Sequence, residues 1–170
     1  LSPLLGKVPA AEFVNHITEK IQSYPGVIGV HDLMIHDYGP GNLFATVHVE
    51  FPAETPVIEA HEVMDEIERD FQEQEHMILT IHYDPIVEES EEVAEIRTFV
   101  SKAAKEFDER LSIHEVRLVP GNESSNVIFD CVKPAGFKIS DSEITSYLQK
   151  RVTEWNPRYR CVIKIEQSYV

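Results

Sequence analysis

The chain has 170 residues, with 15 Lys+Arg against 30 Asp+Glu for a formal charge of −15, and 42% of it is hydrophobic. Such a length suits one medium domain or two small ones of roughly 80 residues each, while the acidity argues against a nucleic-acid binder, which needs a basic face. No stretch approaches the ~20 apolar residues that would span a bilayer, and two cysteines without CxxC spacing, Cys131 and Cys161, argue against a disulfide framework or a thiolate zinc site.

A helix is expected from about Pro9 to Tyr24. Phe13, Ile17 and Ile21 recur at helical spacing, and Pro25-Gly26 stops the run. Val27 to Tyr38 reads as a strand with Leu33 and Ile35 on one face. Gly39-Pro40-Gly41-Asn42 then supplies turn chemistry. Leu43 to Phe51 alternates most clearly. Leu43, Ala45, Val47, Val49 and Phe51 point one way, and Phe44, Thr46, His48 and Glu50 the other. A second helix runs from about Pro56 to Gln74, with Ala60, Val63, Met64, Ile67 and Phe71 as its core stripe. Met77 to Asp84 is a third strand, with His82 and Asp84 on its outward face.

The order is αββαβ, and the second half repeats it. Glu91–Leu111 is a helix, Ile113–Val119 and Val127–Lys133 are strands, Ser140–Trp155 is a helix capped by Ser140 or Asp141, and Arg160–Glu166 is the last strand. Local echoes support a true repeat. Val30-His31-Asp32-Leu33 matches Ile113-His114-Glu115-Val116, and Leu79-Thr80-Ile81 matches Ile163-Lys164-Ile165. The expected fold is therefore α+β: tandem ferredoxin-like units over residues 1–88 and 89–170, each a small sheet with two helices on one face. A right-handed crossover would set each third strand parallel to the second. Leu1 opens the chain with no signal-peptide pattern after it, which reads as an excised fragment or a processed product.

The halves differ in chemistry. Residues 1–90 hold three basic and seventeen acidic side chains and seven of the eight histidines. Aligning the repeats separates what the fold needs from what it does not. His48 falls opposite Asp130, His61 opposite about Tyr147, His82 opposite Glu166 and Asp84 opposite Ser168, while His31 keeps a counterpart in His114. His82 and Asp84 share one strand face, His48 sits on the same side of the neighbouring strand, and cross-strand neighbours come within ~5–8 Å. Two imidazoles and a carboxylate there suit Zn²⁺, Co²⁺, Ni²⁺, Mn²⁺ or Fe²⁺. Binding should weaken as pH falls through about 6.5, because protons compete for imidazole nitrogen. His61 lies at the edge of its helix stripe and needs a sheet rim or a second subunit to join the others. His31 is nominally inward by parity, but a bulge would re-aim it; geometry leaves both readings open.

A set of short runs resembles a known family. They are Leu1 to Pro9 (LSPLLGKVP), Tyr24-Pro25-Gly26-Val27, His31-Asp32-Leu33, Val47-His48-Val49-Glu50, Ala60-His61 with Asp65, and Ile81-His82-Tyr83-Asp84-Pro85. Together, over about residues 1–87, they resemble the cytoplasmic C-terminal domain of cation diffusion facilitator transporters, proton-coupled exporters of zinc and related divalent metals. The resemblance implies a metallochaperone-like αββαβ unit that forms a homodimer, binds cytosolic metal at the subunit interface, and serves the transmembrane domain of the same full-length transporter. It implies His31, His48, His61, His82 and Asp84 as ligands, with the carboxylate able to bridge two ions. It implies zinc foremost, with Mn, Fe, Co, Ni or Cd as alternatives. The fragment itself is expected in the cytoplasm, regulatory, without membrane insertion and without catalysis. The second repeat lacks most of these ligands, and its role is left open.

Other residues read more plainly. His16, His36 and His76 are expected at the surface, although His36 shares an outward strand parity with Asp32 that would allow an auxiliary site. Cys131 and Cys161 both face the core, could be neighbours, and are expected as free thiols. Two other functions fit less of the sequence: a metal-independent dimerisation module, and a dinuclear metal hydrolase. The second needs a cleft and a general base, and neither a Ser-His-Asp arrangement nor HExxH is present.

Overall fold

The computed structural model describes residues 9–168, so Leu1 to Val8 of the opening run lie outside the described residues. The chain divides into two units, the first ending at Pro85 and the second beginning at Ile86. Each is an αββαβ unit with one three-stranded sheet.

In the first unit, helix α1 (Ala11–Gln22) precedes strands β1 (Gly29–Asp37) and β2 (Leu43–Pro52), then helix α2 (Val57–Gln74) and strand β3 (Met77–Ile86). The sheet order is β1-β2-β3. The alternation of β2 sends Ala45, Val47, Val49 and Phe51 into one buried cluster with Ile17 and Ile21 of α1 and Ala60, Ile67 and Phe71 of α2. Both helices of this unit thus pack on the same sheet face. Tyr24 donates a 2.6 Å hydrogen bond to Asp70 Oδ2, and Lys20 Nζ donates to Glu75 Oε1 at 3.2 Å, tying α1 to the far end of α2.

The feature that matters for function is a bulge in β1. His31 pairs with His48, but the next pair is Met34 with Thr46, so three steps on β1 answer two on β2. Asp32 absorbs the extra residue in a left-handed conformation, φ 51°. A bulge resets the face alternation. His31 therefore sits on the outer face directly opposite His48, and Leu33 and Ile35 still join the core. The His-Asp-Leu echo seen in the sequence is this bulge: in the second unit Glu115 has φ 56° and the register slips between His114 and Arg117.

The second unit comprises α3 (Glu91–Phe107), β4 (Ser112–Val119), β5 (Ser125–Pro134), α4 (Asp141–Trp155) and β6 (Tyr159–Ser168). The Ser90 and Ser140 hydroxyls accept from Val93 N and Glu143 N and cap its two helices. β4 and β5 are antiparallel, and β5 and β6 parallel as the crossover rule requires. Cys131 and Cys161 are both free, and they are not register neighbours. Cys131 lies beside Ile165 and Cys161 beside Val127. Burial pushes the Cys131 and Cys161 thiols up to about 11 and about 12. Among the described residues no helix is long and apolar enough to cross a membrane.

Candidate metal centre

Three strands deliver four of the expected residues to one spot on the outer face of the first sheet. Asp84 is the hub. Its Oδ2 lies 2.9 Å from His48 Nδ1 and 3.3 Å from His31 Nε2, and its Oδ1 lies 3.4 Å from His82 Nε2. The three imidazoles form a short stack, with ring centroids 4.6 Å apart for His31–His48 and 4.3 Å for His48–His82. The hub is buried, its side chain 5% exposed, while His82 at 65% stands in solvent. The site is therefore graded from a covered carboxylate to an open rim.

The stack sets one buried carboxylate among three imidazoles. Burying a carboxylate is costly unless a positive charge or several donors meet it. Among the described residues no ammonium or guanidinium pairs with Asp84; its partners are the three imidazoles. Neutral imidazoles can meet it as N–H donors, and the same atoms can ligate a divalent ion through their lone pairs. His48, His82 and Asp84 each bring a ligand atom within 4.8 Å of the others, as do His31, Asp32 and His48.

His61 is the expected ligand that the fold does not bring in. It is exposed on the first turns of α2 and lies outside this cluster. Its neighbours Val57 and Ile58 are exposed too. Two residues were missed by sequence reasoning. Glu50 is buried, and its Oε2 lies 3.1 Å from His31 Nδ1, so His31 is held between two carboxylates. The signal was present, since Glu50 shares a strand face with His48 two residues away. Gly29, the register partner of Glu50, makes the room: a Cβ there would lie 2.8 Å from Glu50 Oε2. The other is Asp32, which parity paired with His36 but which the bulge brings to His31 and His48. His36 instead stacks on Tyr38, and His16 Nε2 lies 2.9 Å from Glu75 Oε1.

Residues 9–86 match the family model for the cytoplasmic domain of cation efflux proteins. Over this segment, somewhat less than half of the chain, the sequence is similar to that domain. The cation-efflux pump FieF of Yersinia enterocolitica is 41% identical over 58 residues, which are 34% of this chain and 18% of the pump. FieF of Escherichia coli is 35% identical over 66 residues, 39% of this chain and 22% of the pump. The chain spans about a fifth of the length of these cation efflux relatives. Among solved structures, a chain of CzrB, studied as a zinc transporter, is 30% identical with a TM-score of 0.42, over 46% of this chain and 98% of that one. The metal-bound C-terminal domain of the CzcD transporter from Cuprividus metallidurans is 28% identical with a TM-score of 0.36, over 42% and 96%.

Proposed function

We propose that the chain is the cytosolic regulatory and dimerisation part of a divalent-metal efflux transporter, and that its first unit binds zinc or a similar ion where two copies meet. The observation that carries this reading is the convergence of His31, His48 and His82 on the buried carboxylate of Asp84. The ligand set of imidazole nitrogen and carboxylate oxygen suits zinc and accommodates Mn, Fe, Co, Ni and Cd. His61 supports an interface: it is exposed, separate from the cluster, and flanked by the exposed apolar side chains of Val57 and Ile58. A second copy would bring it to the ion and cover those side chains together.

The regulatory step follows from charge. With no ion, two acidic units repel and the pair stays open. An ion that binds the closed pair better shifts the population by that difference in affinity. The transmembrane domain of the same full-length transporter is the natural recipient of that change. No residue here is assigned to catalysis. The test is small-angle scattering with and without Zn²⁺. The wild-type chain should compact on zinc addition and a His48→Ala/Asp84→Ala variant should not; an identical response in the two would refute the assignment.

A further inference from the structure

We propose that the free edge of β3 is a docking site for an extended, basic segment of a partner polypeptide, which adds to the first sheet as one more strand.

β3 closes one side of that sheet, whose order is β1-β2-β3. An edge strand presents a row of N–H and C=O groups with which another strand can pair. The two edges of this sheet differ. β1 carries the bulge at Asp32, which breaks its regular ladder. β3 alternates without interruption from Met77 to Tyr83, covered and exposed in turn. One side chain guards its edge: the Ile81 N–H donates to Glu68 Oε2 of α2 at 3.2 Å. That bond shows which way the edge faces. The N–H and C=O of one residue point to the same side of a strand and alternate along it, so Leu79 presents its pair to the same edge.

Beside this edge lies a groove of about 300 Å³, lined by Asp65, Glu68, Arg69 and Gln72 of α2 and by Ile78 and Leu79 of β3. A strand laid there sets alternate side chains towards α2 and towards the outer sheet face. On the outer face Ile78, 53% exposed, offers an aliphatic neighbour. On the helix side the chemistry is acidic. α2 carries seven carboxylates and one guanidinium, Arg69, which already faces Asp65 at 4.0 Å. Glu68 spends its charge on a neutral N–H. A carbonyl of the incoming strand takes the place of Glu68 at Ile81, and a lysine or arginine of that strand meets the released carboxylate.

The second unit shows a guard that is held in place. The Cys161 N–H of β6 donates to Gln149 Oε1, and the Gln149 amide donates in turn to Thr153 Oγ1 at 3.0 Å. Among the described residues Glu68 has no such second tie.

The test is NMR of the 170-residue chain, labelled with ¹⁵N and kept in EDTA, titrated with the peptide acetyl-(Lys-Val)₃-amide. Binding should shift the Leu79 and Ile81 amides and slow their exchange with solvent. Asp65→Asn, a change at an exposed position, should weaken binding about threefold. An isomer with alternate D-residues keeps the charge but cannot form a regular strand, and it should bind at least tenfold more weakly. The proposal is overturned if the peptide does not bind, if the isomer or acetyl-(Glu-Val)₃-amide binds equally well, or if protection falls on β1 or β6 instead. Protection of Leu79 and Ile81 that rises with chain concentration alone overturns it too, by assigning the edge to a second copy.

Discussion

The two units have one fold and opposite ways of handling negative charge on the same sheet face. In the first, His31 pairs with His48; in the second, His114 pairs with Asp130 in the corresponding places. The second unit carries its own cations there. Arg117 replaces Met34 after the bulge, Lys164 lies beside Asp130 across β6, and Lys164 Nζ lies 3.0 Å from Glu166 Oε1. The first unit has imidazoles instead, which can release protons and accept an ion. One face carries resident lysine and arginine beside its carboxylates, whereas the face around Asp84 carries imidazoles.

The sharpest way to strain this comparison is at the one place where the first unit has been emptied to fit a carboxylate. Gly29→Ala should push on Glu50, which is 2% exposed and cannot swing aside freely. Overpacking of this kind costs about 1–3 kcal/mol, read as a lower midpoint in urea denaturation. The matching residue of the second unit is Ser112, which already has a Cβ and faces Val132, so Ser112→Ala should change stability by less than about 0.5 kcal/mol. Equal effects at the two sites would break the contrast.

A smaller effect is expected from giving the first unit the second unit's cation. Thr80 aligns with Lys164 in the repeat and is exposed on β3. Thr80→Lys should offset the local carboxylates and lower Zn²⁺ affinity roughly tenfold, with little change in thermal stability. Unchanged zinc affinity in this variant would show that the resident cation is not what distinguishes the two faces.

The smallest effect belongs to the second unit alone. Burial, followed by the nearby Glu166 carboxylate, pushes Asp130 above its ordinary value, against Arg117 and Lys164. A carboxyl raised by folding contributes stability below its unfolded value, and loses it as pH rises through the folded value. Asp130→Asn should therefore raise the melting temperature slightly at neutral pH. The gain should shrink towards pH 3.8, where the unfolded carboxyl also takes up its proton.

Much of this was legible in the sequence because period and parity are local properties. Apolar spacing found the ten elements, and alternation along β2 and β3 put His48, His82 and Asp84 on one face. What alternation cannot encode is where it fails. The bulge depends on a positive φ at Asp32, a residue that also fits an ordinary strand end, so parity alone leaves His31 open, with only the resemblance naming it a ligand, and groups Asp32 with His36. The repeat held a clue, since the His-acid-apolar echo at His114-Glu115-Val116 marks the same irregularity. Glu50 was passed over because an outward glutamate on an alternating strand ordinarily faces water, and only Gly29 across the strand lets it be buried. His61 marks the other boundary: its place at the edge of the helix stripe is legible, and in the structure it is exposed and apart from the three-strand cluster.

The central claim is that a divalent ion belongs at the Asp84 hub. Anomalous scattering at the zinc edge from crystals of the chain grown with Zn²⁺ tests it most directly. The account predicts a peak about 2.0–2.1 Å from imidazole nitrogens of the His31, His48 and His82 stack and from Asp84 oxygen, with His61 supplied by a second copy, and no peak on the face carrying Arg117 and Lys164. Zinc density confined to other surface histidines, with Asp84 still held only by imidazole hydrogen bonds, would contradict it.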